Sequence, residues 1–304
     1  MMRYIHTGLF FVQENAAERP TMGSVVVMLS SSSLTLSVSS EPGFFQHSNN
    51  SENELLSYFC NYTSSDTYKT NRDTLLSSLS AGINQYGFYS SSYGEDSDTV
   101  YAMVLCRADV ELDLCRECID NAIAKLELCP DDGPLIWLGH DPSDKFGIVW
   151  YDNCTVKYSS KVMEGIMAGD PRSFLWAYID VTIIDQNQFT NPLRNLLNNL
   201  RVQAAEGGTQ RKFASGSTPI PGGPSPDNYT IYALTQCTPD LSTQDCSDCL
   251  EGVINVFLGY CDASAGGRGL SPSCNFRYEI RPFFGEIPSG IYLPYISRSS
   301  DSFT

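Results

Sequence analysis

Cysteine supplies most of the chemistry open to this 304-residue chain, which has eleven of them against three histidines. Cys106, Cys115 and Cys118 are spaced C-x8-C-x2-C, and Cys237, Cys246 and Cys249 repeat that spacing 131 residues later. Thiols so arranged could close disulfides, ligate zinc or carry redox chemistry. Zinc requires a second ligand pair at normal spacing, which is missing here, and histidine is nearly absent. A redox C-x2-C requires a free partner thiol of lowered pKa, whereas here a third cysteine lies upstream in both copies. Structural bridging is therefore expected, with no metal and no cofactor.

The remaining polar residues do not assemble a catalytic set. His6, His47 and His140 sit in unrelated polar contexts, and Asp131, Asp132 and Asp141 read as a solvated loop. The net charge of -16 argues against nucleic acid, whose phosphates need Lys and Arg. Sequons at Asn49, Asn61, Asn153 and Asn228 agree with the oxidising compartment that repeated cysteines favour. The N-terminus shows no signal peptide, and the best apolar run, Val25 to Leu29, is too short to span a bilayer.

The elements that position these cysteines recur as well. Tyr101-Ala-Met-Val-Leu-Cys106 answers to Tyr232-Ala-Leu-Thr-Gln-Cys237, so a whole unit is duplicated. In the first repeat, residues 53–160, Leu75, Leu76 and Leu79 predict a helix over 71–81. Residues 99–106 alternate as a strand, 113–128 read as a second helix, and 146–158 read as one strand around Cys154. In the second repeat, residues 172–284, Leu196, Leu197 and Leu200 match the first helix. A strand over 230–237, a helix over 243–258 and a strand over 273–280 follow. Gly207-Gly208 and the Pro219–Pro224 run read as hairpin loops inside that repeat. Residues 1–47 stand apart without cysteine, and 285–304 form a tail. The fold class expected is α+β: two tandem disulfide-stapled domains, each an antiparallel sheet packed with two helices.

Repeat two lacks counterparts of both Cys60 and Cys129, which is simplest if those two form one bridge, Cys60–Cys129. Cys106–Cys115 with Cys118–Cys154, and Cys237–Cys246 with Cys249–Cys274, is then one option among three for each remaining set of four. Closing so short a gap would stabilise each repeat by about 2.5–3 kcal/mol. Cys261 is left unpaired.

The doubled cysteine spacing, with Tyr151-Asp-Asn-Cys154 and Gly266-Gly-Arg-Gly-Leu-Ser-Pro-Ser-Cys274-Asn-Phe-Arg-Tyr-Glu279, resembles the stress-antifungal (ginkbilobin-like) domain of plants. Two in tandem look like the ectodomain of a cysteine-rich receptor-like protein kinase. The resemblance implies the disulfide order first–fifth, second–third and fourth–sixth, in agreement with the pairing above. It also implies a mannose site, of which Asn61 fits in repeat one and Arg268 and Glu279 in repeat two. No single repeat keeps the whole set, because repeat one has Ile148 and Ser159 at the other two positions. The alternative is that Arg268 and Glu279 form an ion pair on neighbouring strands. Residues 1–47, through the run Ile5 to Met22 that includes Arg19, are similar to the C-terminal end of the kinase domain of the same receptors. The nucleotide and catalytic motifs of a kinase are absent from the sequence.

The expected function is a non-enzymatic extracellular recognition module in defence or stress signalling, with a glycan, cell-wall component or partner receptor as its ligand. The alternatives are a secreted antifungal mannose-binding protein and an apoplastic thiol-redox sensor.

Overall fold

The computed structural model describes residues 53–61, 65–128, 145–177, 186–220, 230–260 and 264–284. In chain order the first repeat comprises β1 (Leu55–Asn61), α1 (Asp66–Ser77), α2 (Leu79–Gly82), β2 (Phe88–Tyr93), β3 (Val100–Cys106), α3 (Leu112–Glu127), β4 (Phe146–Tyr151) and β5 (Cys154–Ser159). The second comprises β6 (Ser173–Ala177), α4 (Gln186–Ala205), β7 (Lys212–Pro219), β8 (Thr230–Cys237), α5 (Thr243–Tyr260), β9 (Gly266–Leu270) and β10 (Cys274–Glu279). Each repeat is an antiparallel five-stranded sheet, ordered β1-β4-β5-β3-β2 and β6-β9-β10-β8-β7. The architecture is α+β, with helices on one face of each sheet.

Local chemistry fixes the boundaries. The first helix begins at Asp66, five residues earlier than its leucines suggest, because Ser65 Oγ accepts the Tyr68 N–H at 3.2 Å as an N-cap. Ser242 Oγ likewise accepts from the Asp245 N–H at 3.0 Å and donates to its carboxylate at 2.6 Å, an N-cap that starts α5. The expected single strand over 146–158 is two strands, since Asp152-Asn153 turns the chain and sets β4 against β5. Gly207-Gly208 joins α4 to β7 and is not a hairpin loop. Gly208 has φ +79, and a Cβ on Gly207 would collide with the Arg211 carbonyl.

Cystine bridges close each unit at the same places. Cys106–Cys115 and Cys237–Cys246 tie the end of a strand to the start of the following helix, and Cys118–Cys154 and Cys249–Cys274 tie that helix to the last strand. Cys60 is also disulfide-bonded. Residues 1–47, the tail 285–304, Asn49, Cys129, Asp131, Asp132, His140, Asp141, Asn228 and Cys261 lie outside the described residues.

One helix-facing core gathers Leu75, Leu76, Leu79, Val104, Ile119 and Val156; its counterpart gathers Leu197, Leu200, Ile254, Phe257 and Phe276. The sheet faces turned away from the helices are also buried. Phe59, Phe146, Ile148 and Trp150 of repeat one pack with Leu270 of repeat two, and Ala108 packs with Phe213 and Leu234. The two sheets thus meet face to face between outer helix layers, which explains why β3 and β4 read as near-continuous apolar runs.

Candidate functional site

The tightest convergence of charged side chains lies in this seam. Asp152 occupies the β4–β5 turn, where its N–H donates to the Glu54 carbonyl at 2.8 Å. Its carboxylate receives three guanidinium groups. Arg107, just after β3, donates from Nη1 at 3.0 Å. Arg268 of β9 and Arg277 of β10 donate at 2.5 and 2.9 Å. These two arginines are direct cross-strand partners, so both project from one face of the second sheet toward the first repeat. Asp109 takes the other side of Arg107 at 2.7 Å, and Glu279 takes Arg277 at 3.2 Å.

Electrostatics follow from that geometry. Burial alone would push the Asp152 carboxyl up, but Arg268, Arg277 and Arg107 outweigh it and hold the pKa at about 2. Burial lowers Arg277, with repulsion from Arg268 adding to the effect. Burial also raises the Glu54 carboxyl at the rim.

A second contact mirrors the first. Lys157 stands three residues after Cys154, as Arg277 stands three after Cys274, and each reaches the β-turn of the other repeat. Arg277 finds the Asp152 carboxylate there. Among the described residues Lys157 Nζ finds only the Pro272 carbonyl as a hydrogen-bond acceptor, at 2.8 Å, although the residue is 3 % exposed. Burial lowers its pKa to about 8. Trp150 Nε1 donates to the Ser271 carbonyl at 3.4 Å and Gln236 Nε2 to the Cys106 carbonyl at 2.9 Å, completing the polar seam.

The cluster is suited to holding the repeats together. The cavity beside it, lined by Arg107, Trp150, Asp152, Gln236, Arg268 and Arg277, measures about 40 Å³. That is room for a few waters at most, against the ~300 Å³ or more of ordinary ligand pockets. Among the described residues no group of three His, Cys, Asp or Glu side chains is placed to hold a metal ion.

The sequence-derived site residues are distributed differently from expectation. Arg268 and Glu279 do not pair with each other: Arg268 bridges to Asp152 of the other repeat, and Glu279 to Arg277 on its own strand. The reason is register, since Glu279 stands opposite Gly266 while Arg268 stands opposite Arg277. Asn61 ends β1 opposite Phe146. Asn153, expected as a glycan attachment site, is 8 % exposed in the β4–β5 turn, and its backbone carbonyl accepts the Arg107 N–H at 2.8 Å.

Sequence reasoning missed Arg107, Asp152, Lys157 and Arg277. One usable signal was the unbroken apolar run of β4 next to a turn carrying Asp152, which marks a strand buried on both faces and a carboxylate trapped beside it.

Comparison with known proteins places these observations. The family model for the salt stress response/antifungal domain matches twice, at residues 57–161 and 180–281. Over 234 residues the chain is 38 % identical to cysteine-rich receptor-like protein kinase 25 of Arabidopsis thaliana, covering 74 % of this chain and 31 % of that protein. It is 37 % identical over 223 residues to cysteine-rich repeat secretory protein 38 of the same plant, covering 73 % of this chain and 81 % of that protein. The chain thus spans about a third of its receptor-kinase relative. The crystal structure of a tandem DUF26 ectodomain, from an Arabidopsis thaliana cysteine-rich receptor-like protein, superposes with a TM-score of 0.58 at 20 % identity. That match covers 75 % of this chain and 98 % of that one, and it shows the shared fold.

Proposed function

Because the chain belongs to the salt stress response/antifungal domain family, whose domain it carries twice, we propose that it is an extracellular recognition module acting in stress or defence signalling. The observation that carries this reading is the extent of the likeness. The same stretch matches most of a secretory protein and, in a receptor-like kinase, about a third of the length. A part shared by a secreted protein and a receptor is best suited to binding something outside the cell. The family match begins at residue 57, so residues 1–47 contribute nothing to this reading.

The ligand class proposed is a cell-wall glycan, held on the outer surface. Arg268 and Glu279 are committed to ion pairs within the seam, so a mannose site built on them is not favoured. A glycan array probed with the full secreted chain is expected to give saturable binding to one class of wall oligosaccharide. An array without a saturable hit, from protein shown to be folded, defeats the glycan reading.

The redox alternative requires a bridge that reductant can reach. Every cysteine of the four described disulfides is at most 4 % exposed. Under mild reductant without denaturant, alkylation mass spectrometry is expected to find none of these eight cysteines labelled. A single pair that labels readily in the folded chain would restore the sensor reading.

A further inference from the structure

We propose that β2 is the pairing edge of a homodimer, in which two copies of this chain join antiparallel about Ser91 to make one continuous sheet. β2 is an outermost strand of the first sheet, Phe-Tyr-Ser-Ser-Ser-Tyr, with no charge, no proline and an unbroken register against β3. Bare edges of that kind invite a further strand, and proteins ordinarily block them with charges, prolines or bulges. Two other edges carry such protection: β1 has a register shift between Leu55 and Ser57, and β7 ends at Pro219.

Backbone alternation identifies the groups left over. The Cys106 N–H donates to the Gly87 carbonyl at 2.7 Å, which sets the alternation: residues 89, 91 and 93 spend their hydrogen bonds on β3, and residues 88, 90 and 92 point outward. Phe88 is satisfied by Asn84, which accepts its N–H on the side chain and donates to its carbonyl, both at 3.2 Å. Among the described residues, Ser90 and Ser92 keep outward N–H and C=O groups without a partner strand.

A second copy fits this edge better than an arbitrary strand does. Tyr89-Ser90-Ser91-Ser92-Tyr93 reads identically in both directions, which is the self-complementarity a two-fold interface demands. Centring the pair on Ser91 sets Ser90 opposite the partner's Ser92, so all four outward groups on each copy find their complements. The same register sets Tyr89 against the partner's Tyr93 at a non-hydrogen-bonded position, where cross-strand side chains come closest. Tyr89 already lies against the helix-side core and Tyr93 is 49 % exposed, so this contact would cover a tyrosine now in water. Charge selects the antiparallel sense. Glu95, Asp96 and Asp98 follow β2, and antiparallel pairing places them beside the uncharged Asn84-Gln85-Tyr86-Gly87 of the other copy, whereas parallel pairing would stack acid on acid. With a net charge of -16 on each copy, association should tighten as salt rises.

Sedimentation equilibrium of the full chain tests this. A monomer–dimer equilibrium is expected, with a dissociation constant that falls as salt is raised from low to moderate, and with hydrogen exchange at Ser90 and Ser92 slowing as concentration rises. Ser92→Pro removes an outward N–H without touching a bond to β3, and Ser92→Lys places a charge at the seam. Each is expected to weaken association by about tenfold or more while leaving the melting temperature unchanged. A chain that stays monomeric to on the order of 100 μM, or a dimer that both variants leave intact, overturns the proposal.

Discussion

Asp152→Asn is expected to lower the unfolding free energy by about 2–4 kcal/mol, somewhat below the range for a wholly buried ion pair because the Asp152 side chain keeps 21 % exposure. Among the described residues Arg268 has no other ion-pair partner, while Arg107 and Arg277 would fall back on Asp109 and Glu279. The substitution keeps the shape of the turn but strands a guanidinium between two sheets. Arg268→Met should cost much less, because Asp152 retains two arginines and Arg277 loses a repelling neighbour. The asymmetry between the two variants distinguishes an electrostatic keystone from ordinary packing. Urea unfolding followed by tryptophan fluorescence measures it, with Trp150 buried in the same seam. Equal midpoints for wild type and Asp152→Asn would remove the cluster from any account of stability.

The cluster also sets an acid limit. Asp152 is held at about 2 in the folded chain against an ordinary 3.8. Its contribution is therefore complete above pH ~4 and disappears as pH falls through 2, a loss of roughly 2 kcal/mol. Asp152→Asn should abolish that part of the acid dependence.

Much of the fold was legible because duplication and periodicity are properties of the chain itself. The repeated cysteine spacing located corresponding helices and strands in both halves, and the leucines of α1 and α4 marked the faces they bury. What periodicity does not encode is how one sheet meets another. Met103 and Leu105 alternate with Val104, and sequence alone leaves open whether the first two face water or a second sheet; both are buried. The site was hidden for the same reason. Asp152 and Arg277 stand 125 residues apart and acquire a common role only when two faces close over them. Arg268, singled out for its resemblance to a sugar ligand, proves to be a partner of that same carboxylate.

Lys157→Met should show the opposite sign, and its size should depend on pH. Lys157 occupies the place in repeat one that Arg277 occupies in repeat two, but the turn facing it is Ser271-Pro272-Ser273, which offers a carbonyl and no carboxylate. A buried ammonium with one neutral acceptor is destabilising; burial lowers its pKa from 10.5 to about 8, with the Asp240 carboxylate offsetting only part of the fall. The unfolded chain keeps this proton up to pH ~10.5 and the folded chain releases it near 8, so wild-type stability gains with pH across that interval. Below pH 8 the penalty is constant at roughly 3 kcal/mol. Methionine avoids the penalty but forfeits the bond to Pro272, worth about 1 kcal/mol. Lys157→Met is therefore expected to exceed wild type by about 2 kcal/mol at pH 7, and to fall about 1 kcal/mol below it at pH 10.5. Paired denaturant titrations at the two pH values measure the crossing directly. A difference that stays the same at both would mean that Lys157 is not titrating in the seam, and the repeats would then tolerate the charge by a route other than the Pro272 carbonyl.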